Sequence, residues 1–114
     1  MEDRTVYRLN DIIDAIDHIN NLLLNKNYQS FISDKFVKAA FERFLEILSE
    51  ASRHIPDEMK AARSDIPWRR IADVGNVLRH AYNRVDSDIL WELHAGGDLA
   101  TLRDAISDFL KESR

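Results

Sequence analysis

The stretch Val6-Tyr7-Arg8-Leu9-Asn10-Asp11-Ile12-Ile13-Asp14-Ala15-Ile16-Asp17-His18-Ile19-Asn20-Asn21-Leu22-Leu23 decides the fold class. Its large apolar residues are Val6, Leu9, Ile12, Ile13, Ile16, Ile19, Leu22 and Leu23. Steps of three and four place them along one stripe of an α-helix, with the charged and amide residues turned the other way. A half-buried strand would need apolar residues at every second position, and this stretch has no such alternation.

The same reading extends along the chain. Asn25-Lys26-Asn27 is turn-prone and ends the first helix. Tyr28 to Ile32 is expected to make a short helical turn, with Ser33 as the N-cap of the next helix. That second long helix is predicted from about Asp34 to Arg53, burying Phe36, Val37, Ala40, Phe41, Phe44, Leu45, Leu48 and Ala51. Pro56 breaks the pattern, and Asp57 to Ala62 reads as a short helix. Pro67 opens a central helix over Trp68 to Tyr82, in the first turn, where its missing N–H costs nothing. Asp86 or Ser87 caps a further helix through Leu93, stopped by Gly96-Gly97. Asp98 caps the last, whose Leu99, Leu102, Ile106, Phe109 and Leu110 face inward. The expected architecture is all-α, a bundle of four or five main helices joined by short connections.

Composition bounds what such a bundle can be. At 114 residues the chain fits one domain, 1–114, with one core. Its hydrophobic content of 45% permits burial to offset chain entropy. The absence of Cys excludes a disulfide framework, thiol catalysis and thiolate zinc sites. No apolar run approaches the roughly 18 residues of a membrane span. The N-terminus shows no basic region followed by an apolar one, so a soluble cytoplasmic protein is expected.

The formal net charge of −4 is unevenly spread. Residues 1–52 hold six Lys/Arg against nine Asp/Glu, residues 53–84 seven against four, and residues 85–114 three against seven. The middle segment is therefore basic. It is either a set of solvated helix faces or a local surface for a polyanion.

That basic segment contains Asn76-Val77-Leu78-Arg79-His80-Ala81-Tyr82, an amide, a guanidinium, an imidazole and a phenol on one predicted helix. Helical geometry puts Trp68, Ile71, Gly75, Leu78 and Tyr82 along one face, and Asp73, Asn76 and His80 along another. Asn76 and His80 stand one turn apart, so the amide can orient the ring or share a ligand with it. Arg79, about 100° round from His80, can reach the same phosphate. His80 is thus either a surface imidazole or an acid/base group. Tyr82 reads as a core or interface aromatic with its hydroxyl at the edge. Arg79 and Arg84 also suit a helix C-terminus without any ligand. Gly75 is anomalous, because glycine inside a helix costs roughly 0.5–1 kcal/mol relative to alanine. Close approach of another helix, in the core or across a dimer interface, would compensate. His18, His54 and His94 form no metal-ligand pairing.

Several blocks resemble HepT-like proteins of the HEPN superfamily, the ribonuclease toxins encoded beside minimal nucleotidyltransferases. They are Glu42-Arg43-Phe44-Leu45-Glu46-Ile47-Leu48-Ser49-Glu50-Ala51, Ile66-Pro67-Trp68-Arg69-Arg70-Ile71-Ala72, Asn76 to Tyr82, Val85-Asp86 with Ile89-Leu90-Trp91-Glu92, and Asp98-Leu99. They occur in family order across nearly the whole chain. The resemblance implies a helical homodimer whose His-x-Tyr segments face a shared cleft, and metal-independent RNA cleavage with no cofactor. On it, His80 is the acid/base group, Asn76 positions the site, and Arg79 binds phosphate, with Arg43, Arg70 and Arg84 as further phosphate candidates. It also implies a nucleotidyltransferase antitoxin that silences the toxin by adenylylating Tyr82. The family's usual motif sets an Arg shortly upstream of the histidine. Here those slots hold Asp73, Val74 and Gly75. Arg79 or an Arg from elsewhere then takes that part, or the chain is a binding subunit that docks the nucleotidyltransferase and its ligand without cleaving.

Overall fold

The computed structural model describes residues 1–79 and 84–113, and of residues 84–86 it describes the backbone alone. Within them the chain forms seven helices and no strand: α1 (Asp3–Leu22), α2 (Tyr28–Ile32), α3 (Lys35–Ser52), α4 (Asp57–Ala62), α5 (Trp68–Arg79), α6 (Arg84–Ala95) and α7 (Asp98–Glu112). Five are long and two are short, in keeping with the expected bundle. Helix α1 packs against α3 and α7, α3 carries α5 on its other side, and α6 bridges α5 and α7. None of the described helices is long and apolar enough to cross a membrane.

The first stripe behaves as its period requires. Leu9, Ile12, Ile16 and Ile19 are completely buried, and they meet Phe41, Leu45 and Leu48 of α3 and Leu102 and Ile106 of α7 in one core. Helix α3 differs from expectation at Phe36, which is 77% exposed. Five residues separate Phe36 from Phe41, a rotation of about 140° at 3.6 residues per turn, so the two cannot share a face. Val37, one turn before Phe41, packs against the core instead.

The cap of α3 also moves by one residue. Asp34, not Ser33, is the N-cap, its carboxylate accepting from the backbone N–H of Phe36 (3.0 Å) and Val37 (3.2 Å). The Ser33 hydroxyl donates back to the Gln29 carbonyl at 2.6 Å and closes α2. Replacing Asp34 with alanine is expected to cost about 1 kcal/mol in a denaturant titration, while Ser33→Ala costs less. The turn before α2 is a built structure as well. Asn25 adopts φ 62°, a region asparagine tolerates better than most residues. Asn27 and Ser30 form a reciprocal capping box.

Helix α6 (Arg84–Ala95) already contains Asp86 and Ser87, the expected caps, and continues past Leu93. A cap by the Asp86 side chain lies outside the described residues. The helix stops where Gly97 takes φ 94°, and Gly97, not Asp98, is the N-cap of α7. Asp98 sits in the first turn of α7, where the helix dipole favours a carboxylate.

On α6, the His94 imidazole lies edge-on to Trp91 at 5.5 Å between centroids. Burial there pushes its pKa below the usual 6.5. The unfolded chain therefore binds this proton more readily than the folded one does. The stability contributed by the neutral ring is present above about pH 6.5 and is lost as pH falls toward and through the lowered value. Urea midpoints measured across this range should fall on acidification, and less steeply in His94→Gln.

Candidate functional site

Three helices converge on a groove of about 680 Å³ lined by Arg8 and Asp11 of α1, Arg43, Glu46, Ile47, Ser49 and Glu50 of α3, Arg53 just past it, and Gly75, Leu78 and Arg79 of α5. The spacing of Arg43, Glu46, Glu50 and Arg53 explains why α3 supplies so much of it. Steps of three and four lay these side chains along the solvent-facing stripe beside the buried one.

Beside the apolar contact between α3 and α5 lies a polar one. The Ala72 carbonyl accepts from the Ser49 hydroxyl (3.2 Å) and from Nε (3.2 Å) and Nη2 (3.1 Å) of Arg53. These bonds fix the Arg53 guanidinium, which lines the groove. Toward the end of α5, Asn76 Nδ2 donates to Asp73 Oδ1, and Arg79 Nη2 donates to Asn76 Oδ1, both at 2.6 Å. Asn76 therefore orients Arg79 through its carbonyl and is itself held by Asp73. Of the groove's carboxylates, Glu46 turns onto Arg43 at 2.6 Å and Glu50 onto His54 at 3.1 Å. The His54 hydrogen bond, with Arg53 and Arg8 nearby, holds the Glu50 carboxyl below its ordinary pKa. Among the described residues no group of three His, Asp or Glu side chains could share a metal ion.

The sequence candidates divide accordingly. Arg43 and Arg79 share this groove, and Asn76 sits beside it through Arg79. Arg70 does not join them. It pairs with Asp98 at 3.0 Å and lines a separate depression beside Asp88 and Glu92. Its position explains this, because Arg70 points around α5 toward the start of α7. His80 and Tyr82 lie outside the described residues, as does the Arg84 side chain.

Gly75 is corrected in one respect. Among the described residues a Cβ built there would meet nothing within 4 Å, so no described helix of the same protomer crowds it. It opens onto the groove instead. The sequence reading missed Arg8 and Arg53. The regular Arg43–Glu46–Glu50–Arg53 stripe could have revealed Arg53. Arg8 gave no local signal, since it lies in the acidic first segment and reaches the site only through the packing of α1 on α3.

Residues 12–109 match the family model described as ribonuclease HepT-like. The chain is 39% identical over 84 residues to "Probable ribonuclease HepT" of Thermococcus cleftensis, covering 74% of this chain and 76% of that protein. It is 31% identical over 85 residues to "Putative RNase MJ1380" of Methanocaldococcus jannaschii, covering 75% and 78%. A second Methanocaldococcus jannaschii protein, "Putative RNase MJ1216", is 36% identical over 84 residues, covering 74% of this chain and 69% of its own length. No solved structure matches the chain. A match over almost the whole helical bundle, together with these relatives, places the chain in the ribonuclease HepT-like family.

Proposed function

We propose that this chain is a metal-independent endoribonuclease, the toxin of a toxin–antitoxin pair, acting in the cytoplasm as a homodimer. The observation that carries the reading is the Asp73–Asn76–Arg79 chain of hydrogen bonds, which aims a guanidinium into a basic groove one residue before His80. In the reaction the RNA 2′-oxygen attacks the adjacent phosphorus while His80 takes its proton. The bond from phosphorus to the 5′-oxygen breaks, a proton returns to that oxygen, and a 2′,3′-cyclic phosphate and a 5′-hydroxyl result. Arg79 stabilises the charge that develops on the phosphate, and Asn76 keeps Arg79 in place.

The partner nucleotidyltransferase would silence the toxin by adenylylating Tyr82. An added AMP brings bulk and negative charge to a site meant for RNA phosphate, so inhibition follows.

The test is cleavage of RNA by the purified chain in excess chelator, against the same sequence in 2′-deoxy form. Cleavage of the RNA alone, ending in a cyclic phosphate, is expected. A folded protein that cleaves neither at high protein-to-RNA ratio would overturn the reading. A second reading then takes its place, that of a helical subunit that docks the nucleotidyltransferase and holds its nucleotide or RNA ligand. Gly75 favours that second reading, because the slot where the usual motif Arg would stand carries no side chain.

A further inference from the structure

We infer that the groove between α1, α3 and α5 seats the phosphates of an RNA strand flanking the cleaved bond, with Arg8, Arg43 and Arg53 as contacts and Gly75 as its bare floor. The inference rests on the ribonuclease reading for the identity of the strand, and on the groove for everything else.

Four guanidiniums face the groove against three carboxylates, Asp11, Glu46 and Glu50, so its net charge is positive although the protein is acidic. Glu46 is turned onto Arg43, so that pair adds little net charge, and Glu50 is turned onto His54, which leaves Arg8, Arg53 and Arg79 to carry the excess. Arg43 and Arg53 stand ten residues apart on one stripe, about 15 Å along the helix axis, which is room for more than one phosphate. Ile47 and Leu78 also line the groove and offer an apolar surface to ribose or base. Arg53 is fixed through Nε and Nη2, so it meets a ligand without first being ordered.

Gly75 supplies a separate argument. Helical glycine is unfavourable, and among the described residues no neighbour needs the space, since a Cβ there meets nothing within 4 Å. A residue that opens a groove floor without easing any packing lets a ligand come close to the backbone. An acidic protein segment would also answer the charge. RNA is favoured because Arg79 lines the groove and is followed directly by His80.

The position of Gly75 gives a clean test. Since a Cβ there meets open space among the described residues and the position lines a groove, Gly75→Ala, Gly75→Lys and Gly75→Glu should all fold, the first with a raised Tm. The probe is a 2′-O-methyl oligoribonucleotide, which has no free 2′-hydroxyl to attack, bound to the full chain across a salt series. Gly75→Lys should bind more tightly than Gly75→Glu by roughly tenfold, and Gly75→Ala, whose methyl takes the space the ligand would use, should bind about threefold more weakly than wild type. Arg8→Gln should lower the slope of log affinity against log salt by about 0.7, the value for one single-strand phosphate contact. Equal binding by the Lys and Glu variants would overturn the assignment and leave the groove to an acidic protein segment. If wild type cleaves RNA while binding ignores the charge at 75, the groove fails and the ribonuclease reading stands. If binding follows that charge and nothing is cleaved, the groove stands and the ribonuclease reading falls.

Discussion

Replacing His80 with alanine should lower RNA cleavage by about 10²- to 10⁴-fold while leaving RNA affinity close to wild type. Attack by a 2′-hydroxyl needs a base that is neutral near pH 7, and imidazole is the side chain whose ordinary pKa provides one. His80 follows Arg79, and Arg79 is tethered through Asn76 to Asp73 at the end of α5. The phosphate contacts lie on other residues, so the variant should still retain RNA in a binding assay. Single-turnover cleavage at saturating protein reads the chemical step directly. Cleavage that survives at wild-type rate in His80→Ala would remove the imidazole from the mechanism, whatever else the protein does. A companion Asn76→Ala should show a smaller loss, since it frees Arg79 to wander without removing it. An effect as large as that of His80→Ala would instead give Asn76 a direct part in the reaction.

Replacing Phe31 with alanine should destabilise the fold by about 3–5 kcal/mol, the usual cost of emptying a buried aromatic site. Phe31 is the buried residue of α2, 1% exposed, in a helix of only five residues. Its ring meets Phe41 of α3 edge-on at 5.2 Å and Trp91 of α6 at 4.9 Å. One side chain therefore ties a short helix to two long ones, and aromatic pairs of this kind add to the area they bury. A helix of this length cannot persist alone in water, so losing the ring should release α2 as well as open a cavity. A fall in Tm of roughly 10–20 °C is expected for a domain of this size. Phe36→Ala is the contrast. That ring lies on the surface, and its removal should shift Tm by little.

Phe31 and Phe36 also show where the sequence was legible. The α1 stripe was plain because its apolar residues keep one phase for five turns, and Leu9, Ile12, Ile16 and Ile19 are all completely buried. Phe36 was misread because hydrophobicity alone placed it on the inner face, although its phase relative to Phe41 does not. Ser33 and Asp34 are both good capping residues side by side. Only the path of the backbone decides which oxygen reaches the free N–H groups of α3.

The candidate site divides along the same line. The order of helix-forming stripes and breaks in the sequence by itself determined an all-α chain, its main helices, and the placing of Asn76 and Arg79 on one helix. Those are consequences of period and local chemistry, which depend on residues a turn apart. The tertiary structure alone decided that Arg8 stands with Arg43 and Arg53 in one groove, and that Arg70 turns away onto Asp98. It also decided that Gly75 opens onto that groove. Residues far apart in the chain meet only through the angle at which one buried stripe settles on another, and no local pattern encodes that angle.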